Sequence, residues 1–232
     1  MKIQVWSDIM CPFCYIAKKN FEQALADSSF KDQVEVEWKS FQLDPTLKES
    51  SGTLSISEYM MNRKGFSKAH LDQFLNQLKE MGKNAGVTFN YDQVIAADTF
   101  PAHKLLHLAK ENGKADEMEE ALFKAHFVDG KNIADVEFLV SLAEELGLDQ
   151  SQTRKVLAED DYNYEVKQDI MEAQNLGITG VPYYILDGKY AVSGAQPVGI
   201  FAKALSQTYQ ESIVDLSKES GDNMCGIDGC SI

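Results

Sequence analysis

Proline and glycine are scarce in this chain, 5 and 15 residues of 232, and no segment repeats. Collagen-like and low-complexity architectures are therefore excluded, leaving one globular unit of ordinary size or a domain with a large insertion. Basic side chains are also short: 22 Lys and Arg stand against 36 Asp and Glu, a formal charge of −14. A field of that sign repels nucleic acid and anionic membrane surfaces, so neither is expected as a partner. No apolar run reaches the roughly 18 to 20 residues of a membrane span, and MKIQVWSDIMCPFC has no basic region followed by a long apolar stretch. A soluble, unexported, cytoplasmic protein is expected. Only four cysteines occur, in two close pairs near opposite ends: Cys11 with Cys14 and Cys225 with Cys230. In a reducing compartment such pairs mean redox chemistry or metal.

The opening residues, with Ile3, Val5 and Trp6, are β-prone, and Pro12 interrupts the strand while suiting a first helical position. Ala17, Phe21 and Leu25 then recur at helical spacing. Val34, Val36 and Trp38 alternate with Glu35, Glu37 and Lys39, the period of a strand with one solvated face, so the chain opens as βαβ. From about Ser57 to Leu157 the period is helical. Leu71, Phe74, Leu75, Leu78 and Met81 form one stripe, Pro101 starts a helix ending near Asn112, and Met118, Leu122 and Phe123 mark the next. Asn132 or Asp135 caps another, which runs to Gly147. After a helix through Val166, Ile170 and Ala173, capped at Gly177, strand signals return at Tyr183 to Leu186. Asp187 and Gly188 predict a tight hairpin turn into Tyr190 to Val192, and a last helix is expected over roughly Pro197 to Val214.

Two residues separate the cysteines of CPFC, so on the first turn of a helix they share a face at a distance that a disulfide spans. Unpaired N–H groups and the positive end of the helix dipole favour a thiolate at Cys11, whose pKa is expected below about 8.5. Cys14, deeper in the helix, is the expected resolving thiol. The competing reading is half of a zinc knuckle, which has the same spacing but usually sits on a hairpin rather than between a strand and a helix.

WSDIMCPFCYIA, a helical insertion, and then GITGVPYYILDGKYAVSGAQP together resemble the DsbA-like branch of the thioredoxin superfamily, most of all its FrnE-type proteins. The likeness covers about residues 1 to 214. It implies an α/β thioredoxin fold, a mixed central sheet flanked by helices, interrupted by a large all-helical domain. Residues 1–45 and 159–214 would form the discontinuous thioredoxin-like domain, 46–158 the insertion, and 215–232 a flexible tail. It further implies thiol–disulfide exchange through Cys11 and Cys14, with a cis peptide between Val181 and Pro182 facing them. Placed there, the Val181 backbone would pair with an extended substrate, and Pro12 and Phe13 complete the expected substrate-binding set. No bound cofactor and no metal are needed. Protein or peptide thiols and disulfides are the expected partners, small-molecule disulfides the alternative, with glutathione or a thioredoxin-type protein for recycling.

Asp8, three residues before Cys11, either takes the proton that Cys14 loses or caps the turn. CGIDGC places four residues between Cys225 and Cys230, compatible with a second redox pair, two metal ligands or an idle tail. His103 and His107 are spaced for metal on a helix but lack the glutamate of a zinc hydrolase motif, so they read as core or surface histidines. His70 and His126 have no companion, and Trp6 and Trp38 read as sheet core. Glu117, Glu119, Glu120, Glu144 and Glu145 read as solvated helix faces. Without a histidine between its cysteines, CPFC predicts a potential less oxidising than DsbA's ~−120 mV, nearer ~−200 mV. Three rivals remain: a kappa-type or hydroxychromene-carboxylate-isomerase-type glutathione enzyme, a zinc-binding module, and a holdase. The glutathione enzymes carry Ser where Cys11 stands.

Overall fold

The computed structural model describes residues 1–50 and 54–212. Strand β1, Lys2–Ser7, leads into helix α1, Pro12–Ala26, and on to β2, Glu35–Ser40. Strands β1 and β2 are parallel with Val5 opposite Trp38, so the predicted βαβ opening forms. Near the far end, β5 (Tyr183–Leu186) runs antiparallel to β1, and β6 (Tyr190–Ser193) antiparallel to β5, giving the order β2-β1-β5-β6. The hairpin turns at Asp187 and Gly188, both at positive φ (53° and 67°), the conformation that a tight turn between twisted strands demands.

Alternation along β1 distributes its side chains to two faces. Ile3 and Val5 join Phe21 of α1, Tyr184 and Leu186 of β5, and Phe201 and Leu205 of helix α9, Val198–Ser212. Trp6 points the other way, packing with Ala173 of helix α8, Asn163–Asn175, and with Ile178. Its indole N–H donates to the Asp169 carbonyl at 3.0 Å. Both tryptophans are buried. The polar side of β2 departs from expectation, because α8 covers it. The Lys39 and Glu37 side chains are only 10% and 15% exposed, Lys39 pairing with Asp169 and Glu172, and Glu37 with Lys2 and Lys110. Ion pairing and hydrogen bonding satisfy these charges where water was expected to.

Between the two halves of the sheet lie α2 (Ile56–Lys64), α3 (Lys68–Asn84), α4 (Phe100–Glu111), α5 (Ala115–Phe127), α6 (Val136–Glu145) and α7 (Gln150–Ala158). Their starts follow local chemistry: Ser55 and Glu58 form a reciprocal capping box, and Ser67, Asp135 and Asp149 cap α3, α6 and α7. A short ribbon, β3 (Leu54–Ser55) against β4 (Ile95–Ala96), was not anticipated, since two-residue strands carry no periodicity. The α5 glutamates divide. Glu119 is fully buried, contrary to its reading as a solvated residue, because it lies one helical turn before Leu122 and Phe123 on the face packed against the core. Among the described residues no helix is long and apolar enough to cross a membrane.

Candidate active site

After Ser7 the chain turns through Asp8 to Cys11, whose N–H donates to the Asp8 carbonyl at 2.9 Å. Cys11 stands immediately before α1 in an extended conformation, and Pro12 starts the helix with its φ already set and no N–H to leave unpaired. Cys14 N–H donates to the Cys11 carbonyl at 3.0 Å, closing the first turn. Both cysteines are free thiols, 3% and 1% exposed. The Val181–Pro182 peptide is cis, and the Cys11 thiol meets the Val181 carbonyl at 3.5 Å. These four residues come together from segments 170 positions apart.

The two sulfurs face different surroundings. Cys11, with Pro12 and Phe13, borders a cleft of about 470 Å³ walled by Tyr59, Phe74, Leu75 and Tyr91. Phe13 meets Phe74 edge to face at 6.2 Å, joining α1 to α3 across that wall. Burial pushes the Cys14 thiol well above its usual range, and the adjacent Cys11 sulfur adds to the shift. The nearby polar groups of Asp8 and Ser7 oppose it.

Behind Cys14 lies a buried polar cluster. Ser7 donates to Glu119 Oε1 at 2.7 Å, and Glu119 Oε2 has no hydrogen-bond partner among the described residues. Burial raises Glu119 to about 7 against the opposing pull of Ser7, His103 and Lys18. The Asp8 carboxylate is buried too, but it accepts from Leu43 N–H at 2.7 Å and Met10 N–H at 3.4 Å, a turn-capping arrangement. His103 lies 3.6 Å from Asp8 and 2.8 Å from the Phe41 carbonyl. Burial pulls His103 down, but the neighbouring Asp8 carboxylate leaves it raised. His126, also buried, is lowered to about 4 by desolvation. His107 instead turns to Asp169 and Ser40, at 3.1 and 3.3 Å, so the two spaced histidines do not converge.

Sequence reading missed Ser7 and Glu119. A signal for Glu119 existed in its helical phase, whereas Ser7 carried none. Cys225 and Cys230 lie outside the described residues. Among the described residues, no three His, Cys, Asp or Glu side chains group to hold a metal, so the zinc-knuckle reading of CPFC finds no further ligand there.

A family model described as a DSBA-like thioredoxin domain matches residues 2–206. The chain is 34% identical over 206 residues to the protein named Uncharacterized protein YwbO of Bacillus subtilis (strain 168), covering 88% of this chain and 95% of that one. The crystal structure of the probable DsbA oxidoreductase SCO1869 from Streptomyces coelicolor superposes with a TM-score of 0.85 at 36% identity, covering 100% of this chain and 99% of the other. The cytosolic disulfide reductase DsbM from Pseudomonas aeruginosa, solved with glutathione, shares the fold at a TM-score of 0.65 and 15% identity, over 90% of this chain and all of that one. With a thioredoxin-like sheet, a helical region between its halves, and a family match across nearly the whole described chain, this protein belongs to the DSBA-like thioredoxin domain family.

Proposed function

We propose that this protein is a FrnE-type thiol–disulfide oxidoreductase working by dithiol–disulfide exchange at Cys11 and Cys14. The observation that carries it is the pair of free thiols one helical turn apart at the start of α1, one bordering an open cleft and the other enclosed. In the reductive direction the Cys11 thiolate attacks a substrate disulfide and one substrate thiolate leaves. Cys14, once deprotonated, attacks Cys11 Sγ, which forms the Cys11–Cys14 disulfide and frees the second substrate thiolate. Two electrons pass from the protein to the substrate, and oxidation of substrate dithiols runs the same steps in reverse.

Asp8 acts by fixing the turn that presents Cys11, consistent with the backbone donors on its carboxylate. The Val181 backbone, Pro182, Pro12 and Phe13 form the substrate-contacting rim, and the apolar wall favours peptide disulfides with apolar flanking side chains. Glutathione is the proposed small-molecule thiol, a choice supported by its presence with DsbM, and the cytoplasm is the proposed compartment. Residues 1–45 and 159–214 serve as the thioredoxin-like unit and 46–158 as the insertion that walls the cleft. Cys225 and Cys230 are assigned as an auxiliary redox pair. The intact cysteine at position 11 disfavours the isomerase and transferase alternatives, in which serine stands there.

Redox titration in graded glutathione buffers, with alkylation scored separately for the two cysteine-pair peptides, tests this assignment. A midpoint for Cys11–Cys14 between about −120 and −270 mV is expected, with a coupled change in the tail pair. A disulfide persisting below about −300 mV would mark a structural bond and end the exchange assignment.

A further inference from the structure

The polar side chains that border the cleft in front of Cys11 are engaged within the protein, with one exception. The Tyr59 hydroxyl donates to Asp44 at 2.8 Å, Lys64 stands 3.5 Å from the same carboxylate, and the Cys11 thiol meets the Val181 carbonyl. Tyr91 is the exception: it is 3% exposed, and its buried hydroxyl has no hydrogen-bond partner among the described residues. A buried donor without an acceptor destabilises the free protein. The other unpartnered buried side chains, Tyr184 and His126 among them, lie off the cleft.

Tyr91 is also held in place. Its ring packs against Phe89 and Phe127, with centroids 5.2 and 6.4 Å away. The turn that carries it is tied to the end of α5, where Asn90 N–H donates to the Phe127 carbonyl at 2.8 Å, and Gln93 N–H closes back on the Asn90 carbonyl at 3.0 Å. Burial pushes the Tyr91 hydroxyl well above the usual phenol range, and negative charge at Cys11 adds to the shift, so it remains a neutral donor.

We propose that Tyr91 is the hydrogen-bond donor to the substrate sulfur bound to Cys11, its unpartnered hydroxyl held ready for the charge that gathers there as that sulfur leaves. This rests on the exchange chemistry proposed above. In the mixed disulfide the substrate sulfur is one S–S bond from Cys11, inside the cleft that Tyr91 borders. The Cys14 thiolate attacks Cys11 Sγ, the Cys11–Cys14 bond forms, and the electron pair of the broken bond departs on the substrate sulfur. The Tyr91 O–H donates to that sulfur and keeps its proton, and solvent protonates the thiolate after release. A preorganised donor in apolar surroundings matters most where most charge develops. Alkyl thiols, cysteine peptides and glutathione included, are weakly acidic and leave poorly, so their disulfides are the substrate class that needs Tyr91. Acidic aromatic thiols leave well without it.

The test uses the reduced full-length chain carrying Cys225→Ser and Cys230→Ser. In the first phase, at acid pH, a methanethiosulfonate reagent loads an ethyl thiol or a nitrophenyl thiol onto Cys11 and releases methanesulfinate. In the second, a jump to pH 7 starts attack by Cys14, and rapid quenching with chromatography counts the thiol expelled. Tyr91→Phe is expected to slow release of the ethyl thiol at least about tenfold and of the nitrophenyl thiol less than about threefold, with loading of both within about twofold of the parent. The variant should melt at or above the parent's temperature, since no hydrogen bond within the protein is lost. Unchanged release of the ethyl thiol, or equal slowing of both thiols, would overturn the assignment. So would a lower melting temperature, which would show the hydroxyl bonded in the free protein. A parent that neither loads nor releases thiol removes the exchange chemistry itself, and the role of Tyr91 with it.

Discussion

The two sides of CPFC are built oppositely. In front of Cys11 the helical region and α1 supply aromatic and aliphatic side chains around a cleft. Behind Cys14 the end of β1 and the helices α4 and α5 supply a hydroxyl, two carboxylates and two histidines, all buried. An apolar wall binds by excluding water and costs little to leave empty, whereas a buried polar cluster is costly unless its groups are paired or held neutral. Two residues of sequence thus separate a thiol suited to meeting a partner from one enclosed among buried polar groups.

The comparison breaks most completely at the sulfurs. Cys11→Ser should abolish exchange, while Cys14→Ser should halt it at a mixed disulfide that intact-mass measurement detects; turnover by either variant would contradict the assignment.

Next in size is the pH dependence of stability at Glu119, raised from 4.5 to about 7 mainly by burial. The folded protein then keeps a proton that the unfolded chain has released, so this contribution falls as pH rises from about 4.5 through 7, by about 3 kcal/mol in all. Glu119→Gln removes it, and the variant's stability advantage should widen across that window and level off above about pH 8. Denaturant unfolding at pH 5 and pH 8 checks the difference, and equal advantages at both would refute it. His126, lowered to about 4, produces the opposite slope between about 4 and 6.5 in both proteins, which is why the difference between them is the informative quantity.

The cleft side gives a smaller effect. Leu75→Ser, on the wall, should raise KM roughly three- to tenfold for a peptide disulfide with apolar flanks, leave kcat unchanged, and spare a hydrophilic disulfide. Equal effects on both substrates would mean that the wall does not select. Smallest of all, Glu137→Gln unpairs an exposed Arg154 far from either side and should leave the melting temperature and both exchange phases unchanged.

What was legible in the sequence was what is local. Cys11, Pro12 and Cys14 announce a helix start, and Asp187-Gly188 announces a hairpin, because each is decided within a few residues. The juxtaposition of Val181 with Cys11 came through family resemblance, since no local rule links positions 170 apart. Ser7 and Glu119 were illegible as a pair for the same reason: their hydrogen bond spans 112 residues. Glu119 could have been suspected from its phase on α5, where charge outweighed periodicity in the reading. Lys39 and Glu37 misled similarly, because strand alternation shows which face is polar but not whether a helix will cover it.

The most direct test of the asymmetry is the rate at which each cysteine of the reduced protein is alkylated at pH 7, resolved peptide by peptide. Cys11 should react at least about a hundredfold faster than Cys14, whose buried thiol keeps its proton. Equal rates, or Cys14 reacting first, would contradict the division of labour between the two sides of the motif.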